Sequence, residues 1–177
     1  MSPEQIRTMP YVDLMAFIGE VNRPPGGKNS IRQIAQNTFI DASSSILDVG
    51  CNTGYCSFEL AAITNCKVVG VDINQNMIKE ALRQAKVASL PKPPSFQIGD
   101  GRSLDFPNDT FDLVMSGGST AFIGDKKKAL SEYARVVRPW GFVADINFFY
   151  RVKPPQNLLA ELTKLLGIDI TPWDINY

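Results

Sequence analysis

The sequence predicts a single α/β domain, doubly wound around a mostly parallel sheet with helices on both faces, and three observations carry that expectation. Short apolar runs at Ser45–Gly50, Lys67–Asp72, Ser95–Asp100, Phe111–Ser116 and Gly141–Phe149 are rich in β-branched or aromatic residues. Their near-continuous hydrophobicity suits strands covered on both faces. Helical patterns at Tyr55–Ile63, Gln75–Ala88 and Asp125–Val137 alternate with them, and strict β/α alternation implies parallel strands. The length of 177 residues with 44% hydrophobic content is enough for one sizeable core.

The first strand runs into the Gly-rich turn Gly50-Cys-Asn-Thr-Gly54, and the helix follows at once. The second strand ends in Asp72, after which Gln75–Ala88 makes the next helix. Pro91-Lys-Pro-Pro94 is a loop, and the third strand ends in Asp100. The fourth strand exits through Ser116, Gly117 and Gly118. In the third helix Ala129, Leu130, Tyr133, Val136 and Val137 recur at helical spacing, and Arg138-Pro-Trp-Gly141 turns it into the fifth strand. Before all of this, residues 1–41 form a lead-in separate from the domain at 42–177. It carries helical stretches at Val12–Val21 and Ser30–Phe39 around the loop Asn22–Lys28.

The bulk numbers exclude several classes. Lys+Arg and Asp+Glu balance at 18 each, so no net charge favours nucleic acid or an anionic membrane. The run Lys126-Lys127-Lys128 reads as a solvated helix face. There is no histidine, which excludes a Cys/His zinc site and Ser-His or Cys-His nucleophilic catalysis. Cys51, Cys56 and Cys66 are an odd number in no metal spacing, and read as small buried hydrophobes in a reducing compartment. No metal is expected. No apolar run reaches membrane-spanning length, and the N-terminus lacks a secretory signal. The expected location is the cytoplasm.

Three carboxylates, Asp48, Asp72 and Asp100, fall at three successive strand ends, where open α/β sheets bind ligands. Each alone would read as a cap or turn residue, but three on successive strands point to a ligand site. Asp105, Asp109 and Asp112 are read as surface turn residues or residues at strand starts. The dinucleotide pattern G-x-G-x-x-G fails here, because Asn52 and Tyr55 stand where its second and third glycines belong. A nicotinamide-dependent oxidoreductase is the weakest reading.

The segment Leu47-Asp-Val-Gly-Cys-Asn-Thr-Gly54 resembles motif I of the class I S-adenosylmethionine-dependent methyltransferases, departing from it where Asn52 replaces the central glycine. Gly70-Val-Asp-Ile73, Gly99–Val114 and Glu132-Tyr-Ala-Arg-Val-Val-Arg-Pro-Trp-Gly141 resemble that family's later motifs, in order. The resemblance covers about Ser45 to Ile146. It implies S-adenosylmethionine as cofactor, with S-adenosylhomocysteine as product. It implies that Asp48 meets the methionine amino group, that Gly50, Asn52 and Gly54 line the turn, and that Asp72 holds the ribose with Ile73 against the adenine. Asp100 would accept from the adenine amino group, the Gly101 and Arg102 backbone would meet the ring edge, and Ser116 would close the methionine pocket.

The acceptor side is less defined. The fourth-strand exit lacks the [D/N]-P-P-[Y/F] motif of enzymes that methylate nucleobase amino groups, so a small-molecule acceptor is expected and nucleic acid is not. Gly117 and Gly118 would flank the reaction centre. Tyr11, Arg23, Lys28 or Arg32 of the lead-in could reach the cofactor carboxylate or an acidic substrate as a lid. No catalytic residue is singled out. The family's full fold adds two strands after the fifth, and Gly167–Tyr177 is too short to supply both. The closing strands are therefore expected to be short or missing. An open edge there would suit a homodimer, or a non-catalytic cofactor-binding subunit that completes another chain.

Overall fold

A computed structural model describes residues 2–19, 23–147 and 152–166. Five strands form one parallel sheet in the order β3-β2-β1-β4-β5. They are β1 (Ser45–Val49), β2 (Lys67–Asp72), β3 (Ser95–Ile98), β4 (Phe111–Ser116) and β5 (Val137–Asp145). The helices are α1 (Pro3–Arg7), α2 (Tyr11–Ile18), α3 (Gly27–Asn37), α4 (Tyr55–Thr64), α5 (Gln75–Val87), α6 (Lys126–Val136) and α7 (Gln156–Leu166), with a 3-10 turn at Ser119–Phe122. The strand order reverses between β1 and β4, and ligands bind beyond the strand ends at such a switch point.

The central strands are buried because both their faces are covered. Ile46, Leu113 and Met115 pack against Ile31 and Ala35 of α3 and Cys56 and Leu60 of α4. Leu47, Val49 and Val114 pack on the opposite face against Ala129, Tyr133 and Val136 of α6. The spacing of those α6 residues puts them on one stripe of the helix. Ile31 has no exposed surface, so α3 of the lead-in contributes to the same core as β1.

Local chemistry sets the boundaries. Asn74 caps α5 by accepting from the backbone N–H groups of Asn76 and Met77. Asp125 caps α6 by accepting from Lys128, which offsets three lysines placed at the positive end of the helix dipole. Glu132 accepts from the Leu104 N–H and pairs with Arg135, whose guanidinium also donates to the carbonyls of Leu104 and Phe106. That pair clamps the 104–108 loop onto α6, and the Arg135 guanidinium holds the Glu132 carboxyl down at about 2.

Several sequence expectations shift here. The fifth strand begins at Val137 rather than Gly141, directly after α6. Arg138–Gly141 forms a bulge between the Phe111–Val137 and Leu113–Phe142 pairs. The bulge accommodates Pro139 on an edge strand and leaves Trp140 99% exposed at positive φ. The far end of that expectation, 148–149, lies outside the described residues, as does Gly167–Tyr177. The third strand stops at Ile98, and Asp100 instead bridges to Ser103 in a tight turn. The first turn of α3 starts at Gly27, inside the expected loop. Asp112 is no surface residue, since it accepts from the Ser45 N–H at 2.6 Å and pairs with Arg138, tying the starts of β1, β4 and β5 together.

Candidate functional site: a cleft at the strand switch point

A cleft of about 690 Å3 opens over the carboxyl ends of β1, β2 and β4, within the usual range for small-molecule sites. Its floor is the turn after β1. Gly50 has φ +69° and Gly54 φ +95°, conformations that side chains disfavour. A Cβ at Gly54 would also lie 2.7 Å from the Phe96 ring and 2.8 Å from that of Phe58, which pack together beneath it. Asn52 stands in the left-handed region at φ +54°. Asn is the commonest stand-in for glycine there, so the departure at the central position keeps the backbone shape.

The N–H groups of this turn are all spent internally. Gly50 and Cys51 donate to the Val71 carbonyl and Gly54 to the Cys51 carbonyl. Asn52 donates to Asp72 Oδ2 and Thr53 to the Asn52 side chain. Phosphate-binding turns offer free N–H groups to the anion. This one offers a closely packed backbone surface flanked by acids instead.

The three acids differ in environment. Asp48 lies behind the turn and does not line the cleft. It is 1% exposed, and its Oδ2 accepts from the Ser57 hydroxyl at 2.6 Å. Its Oδ1 is buried with no hydrogen-bond partner. Burial pushes its carboxyl up to about 6, opposed by the Ser57 bond and helped by the nearby Asp72 charge. Asp72 lines the cleft and is fixed at 2.9 Å by the N–H groups of Asn52 and Asn74. Burial raises its pKa as well, against those two bonds. Asp100 lines the cleft with both oxygens engaged by Arg102, whose side-chain bonds hold its pKa down.

The sequence candidates do not all converge. Gly50, Asn52, Asp72, Ile73, Asp100, Gly101, Arg102, Gly117 and Gly118 line the cleft, as do Tyr11 and Arg23 from the lead-in. Gly54 and Ser116 lie beneath it. Ser116 is fully buried, where its hydroxyl meets Ser119 at 2.9 Å and accepts from the Thr120 N–H. The Arg102 N–H donates to Asp100, so that backbone group is already engaged. Lys28 points away from the cleft and pairs with Glu59 of α4 at 2.7 Å, while Arg32 approaches the same carboxylate. Arg23 instead stacks over the Tyr55 ring at 5.9 Å.

Sequence reasoning missed Asn74, Ser57 and Ser119. Asn74 bonds Asp72 through its N–H, and its side chain donates to Asp13 of α2. Asn76 donates to the same carboxylate, which anchors α2 beside the cleft. Asn74 was legible as the residue before a helix pattern, the position of a cap. Ser119, donating to the Val49 carbonyl at 2.7 Å, had no such signal.

Comparison with known proteins bears on this geometry. A family model described as "Methyltransferase domain" matches residues 46–141. Phosphoethanolamine N-methyltransferase 1 of Arabidopsis thaliana is 27% identical over 145 residues, covering 82% of this chain and 29% of that protein. Sterol 24-C-methyltransferase of Saccharomyces cerevisiae is 32% identical over 124 residues, covering 70% of this chain and 32% of its own. Phosphoethanolamine N-methyltransferase 2 of Haemonchus contortus, solved in complex with S-adenosyl-L-methionine, superposes with a TM-score of 0.79 at 20% identity. That likeness covers 95% of this chain and 40% of the other. The chain thus spans well under half the length of each of these proteins.

Proposed function

This chain belongs to the methyltransferase-domain family, and from that premise we propose that it uses S-adenosylmethionine to methylate a small-molecule acceptor. The observation that carries the proposal is the internally bonded turn after β1 beside Asp72 and Asp100, carboxylates that both line the cleft. A dinucleotide would need the turn's N–H groups, whereas a ligand bearing hydroxyl and amino donors suits acceptors such as these. Asp48, buried behind the turn and bonded to Ser57, would brace the backbone beneath the methionine end rather than touch it. Asp72, held by two backbone N–H groups, would take the ribose hydroxyls, with Ile73 against the adenine. Asp100, Gly101 and Arg102 would border the base, and Gly50, Asn52 and Gly54 would shape the floor. Ser116 acts through Ser119, which it positions at the cleft wall.

When bound, the sulfonium supplies an already activated methyl group, so the protein's part is alignment and exclusion of water. The lead-in serves that second task as a lid. Tyr11, Met15, Arg23 and Pro25 border the cleft, and the Asp13 bonds to Asn74 and Asn76 hold α2 in place. Among the described residues no helix is long and apolar enough to cross a membrane. The balanced charge and three free, buried cysteines support a small-molecule enzyme of a reducing cytoplasm.

A second reading is favoured by one observation. On the edge strand β5, Phe142 and Val143 are 37% and 44% exposed beside Trp140, which suits pairing with another strand, as in a homodimer or a non-catalytic subunit. Release of S-adenosylhomocysteine across a panel of small metabolites separates the two. Turnover with any member supports the enzyme. Tight adenosyl binding with no turnover on any member supports the subunit.

A further inference from the structure

Among the described residues, the charged side chains that line the cleft are Arg23, Asp72, Asp100 and Arg102. Three of them are already engaged. Asp72 accepts from the N–H groups of Asn52 and Asn74, and Arg102 pairs with Asp100 at 2.7 Å. Arg23 is the exception. Its guanidinium has neither a hydrogen bond nor an ion pair among the described residues, and it rests over the Tyr55 ring at 5.9 Å from the centroid. A contact of that kind contributes about 0.5–1 kcal/mol at an exposed site. It spends none of the five N–H donors of a guanidinium in a hydrogen bond, so all five remain available to a ligand.

The backbone that carries Arg23 is held in place. A residue before proline is biased to extended backbone, and the proline that follows, Pro24, is buried. The Pro24 carbonyl accepts from the Gly27 N–H at 2.8 Å, and the Pro25 carbonyl from the Ser30 hydroxyl at 2.7 Å. This strap runs along the exit of β4. A Cβ at Gly117 would lie 3.6 Å from Pro24, and one at Gly118 would lie 3.8 Å from Pro25. Arg23 therefore borders the cleft on the β4 side of the switch point, whereas Asp72 and Asp100 follow β2 and β3. No carboxylate lining the β4 side neutralises it among the described residues.

A planar cation with free donors, open to the cleft and not neutralised, is complementary to a carboxylate or phosphate, which it can grip through two parallel N–H···O bonds. We propose that Arg23 binds a carboxylate or phosphate group on the methyl acceptor, which makes the acceptor a small molecule bearing an anionic group. This assignment rests on the methyltransferase reading of the cleft and adds to it the charge of the substrate.

The test uses the whole chain saturated with S-adenosylhomocysteine, so that the cofactor's own carboxylate is already placed. Inorganic phosphate, acetate and acetamide are titrated at constant ionic strength, and the Arg23 Nε–H is followed by two-dimensional NMR. Phosphate and acetate are expected to shift it saturably. Acetamide, which has the shape of acetate without its charge, is expected to need at least about tenfold higher concentrations. Arg23 is exposed, so Arg23→Gln is expected to fold. It should weaken phosphate about fivefold or more while S-adenosylhomocysteine affinity stays within about twofold. In the metabolite panel, acceptors that turn over are expected to carry a carboxylate or phosphate, and Arg23→Gln to raise their KM by a larger factor than it lowers kcat.

Equal responses to acetate and acetamide, an unchanged phosphate affinity in Arg23→Gln, or turnover confined to uncharged acceptors would overturn the assignment. Loss of S-adenosylhomocysteine affinity in Arg23→Gln, with no anion response in the natural complex, would overturn it too, because Arg23 would then hold the cofactor carboxylate. Failure of S-adenosylhomocysteine to bind the natural chain would instead remove the cofactor reading, and phosphate titration of the unliganded chain then decides the anion site by itself.

Discussion

The two halves of the cleft are built in opposite ways. Around β1, β2 and β3 the turn N–H groups and the carboxylates of Asp72 and Asp100 are engaged by bonds within the chain. Around β4 the wall is Gly117, Gly118 and Ser119, and no carboxylate from that side lines the cleft among the described residues. A site for one invariant ligand can be fixed in advance by internal bonds, because preorganisation lowers the cost of binding.

The sharpest way to break the comparison is to unfix the rigid half. Asp72→Ala removes the partner of two backbone N–H groups and the proposed ribose acceptor together. It should cost S-adenosylhomocysteine binding about a hundredfold or more, read by titration calorimetry. Next in size, Gly54→Ala forces a side chain into positive φ and against two rings, and should lower unfolding free energy by about 2–3 kcal/mol in urea. Substitution of Gly124 by Ala is the matched control, as a Cβ there meets nothing within 4 Å and φ lies outside the left-handed region.

Asp48 gives the comparison a sign. Its folded pKa of about 6 lies above the ordinary carboxyl value of 3.8, so the folded state binds the proton more tightly. That carboxyl therefore costs stability as pH rises from about 4 to about 6, and the full cost persists above. Asp48→Asn should raise the unliganded protein's stability at pH 7 by up to about 2 kcal/mol, with the gain vanishing near pH 4. The same variant should leave S-adenosylhomocysteine affinity within about twofold, because Asp48 does not line the cleft. A large loss of affinity would mean that the orphan oxygen reaches the ligand. Glu132→Gln runs the other way. The Glu132 pKa is lowered, so its contribution is present above the ordinary carboxylate range and lost as pH falls towards about 2. Because the pair is partly exposed, the loss at pH 7 should be about 1 kcal/mol by thermal denaturation.

The smallest effect distinguishes two cations that look alike in sequence. Arg23→Ala should weaken cofactor or acceptor binding several-fold, since Arg23 borders the cleft. Lys28→Ala should leave both within about twofold, because Lys28 is held by Glu59 outside the cleft and is the exposed member of that pair.

That contrast also marks where sequence reading succeeds. Strands β1, β2 and β4 were legible because both faces are buried, which leaves a continuous apolar run. Asp72 was legible because it follows such a run and precedes a helix pattern. Pro139 and Gly141 misled, since the same residues that make a turn also make a bulge on an edge strand. Lys28 misled because its direction is set by Glu59, a contact between distant parts of the chain that no local pattern records.

Titration calorimetry of the natural chain with S-adenosylhomocysteine and, separately, with NAD tests the central claim most directly. Saturable one-site binding of S-adenosylhomocysteine and no detectable heat with NAD are expected, because the N–H groups of Gly50–Gly54 are already engaged and not offered to a pyrophosphate. NAD binding at comparable affinity, or no binding of S-adenosylhomocysteine, would contradict it.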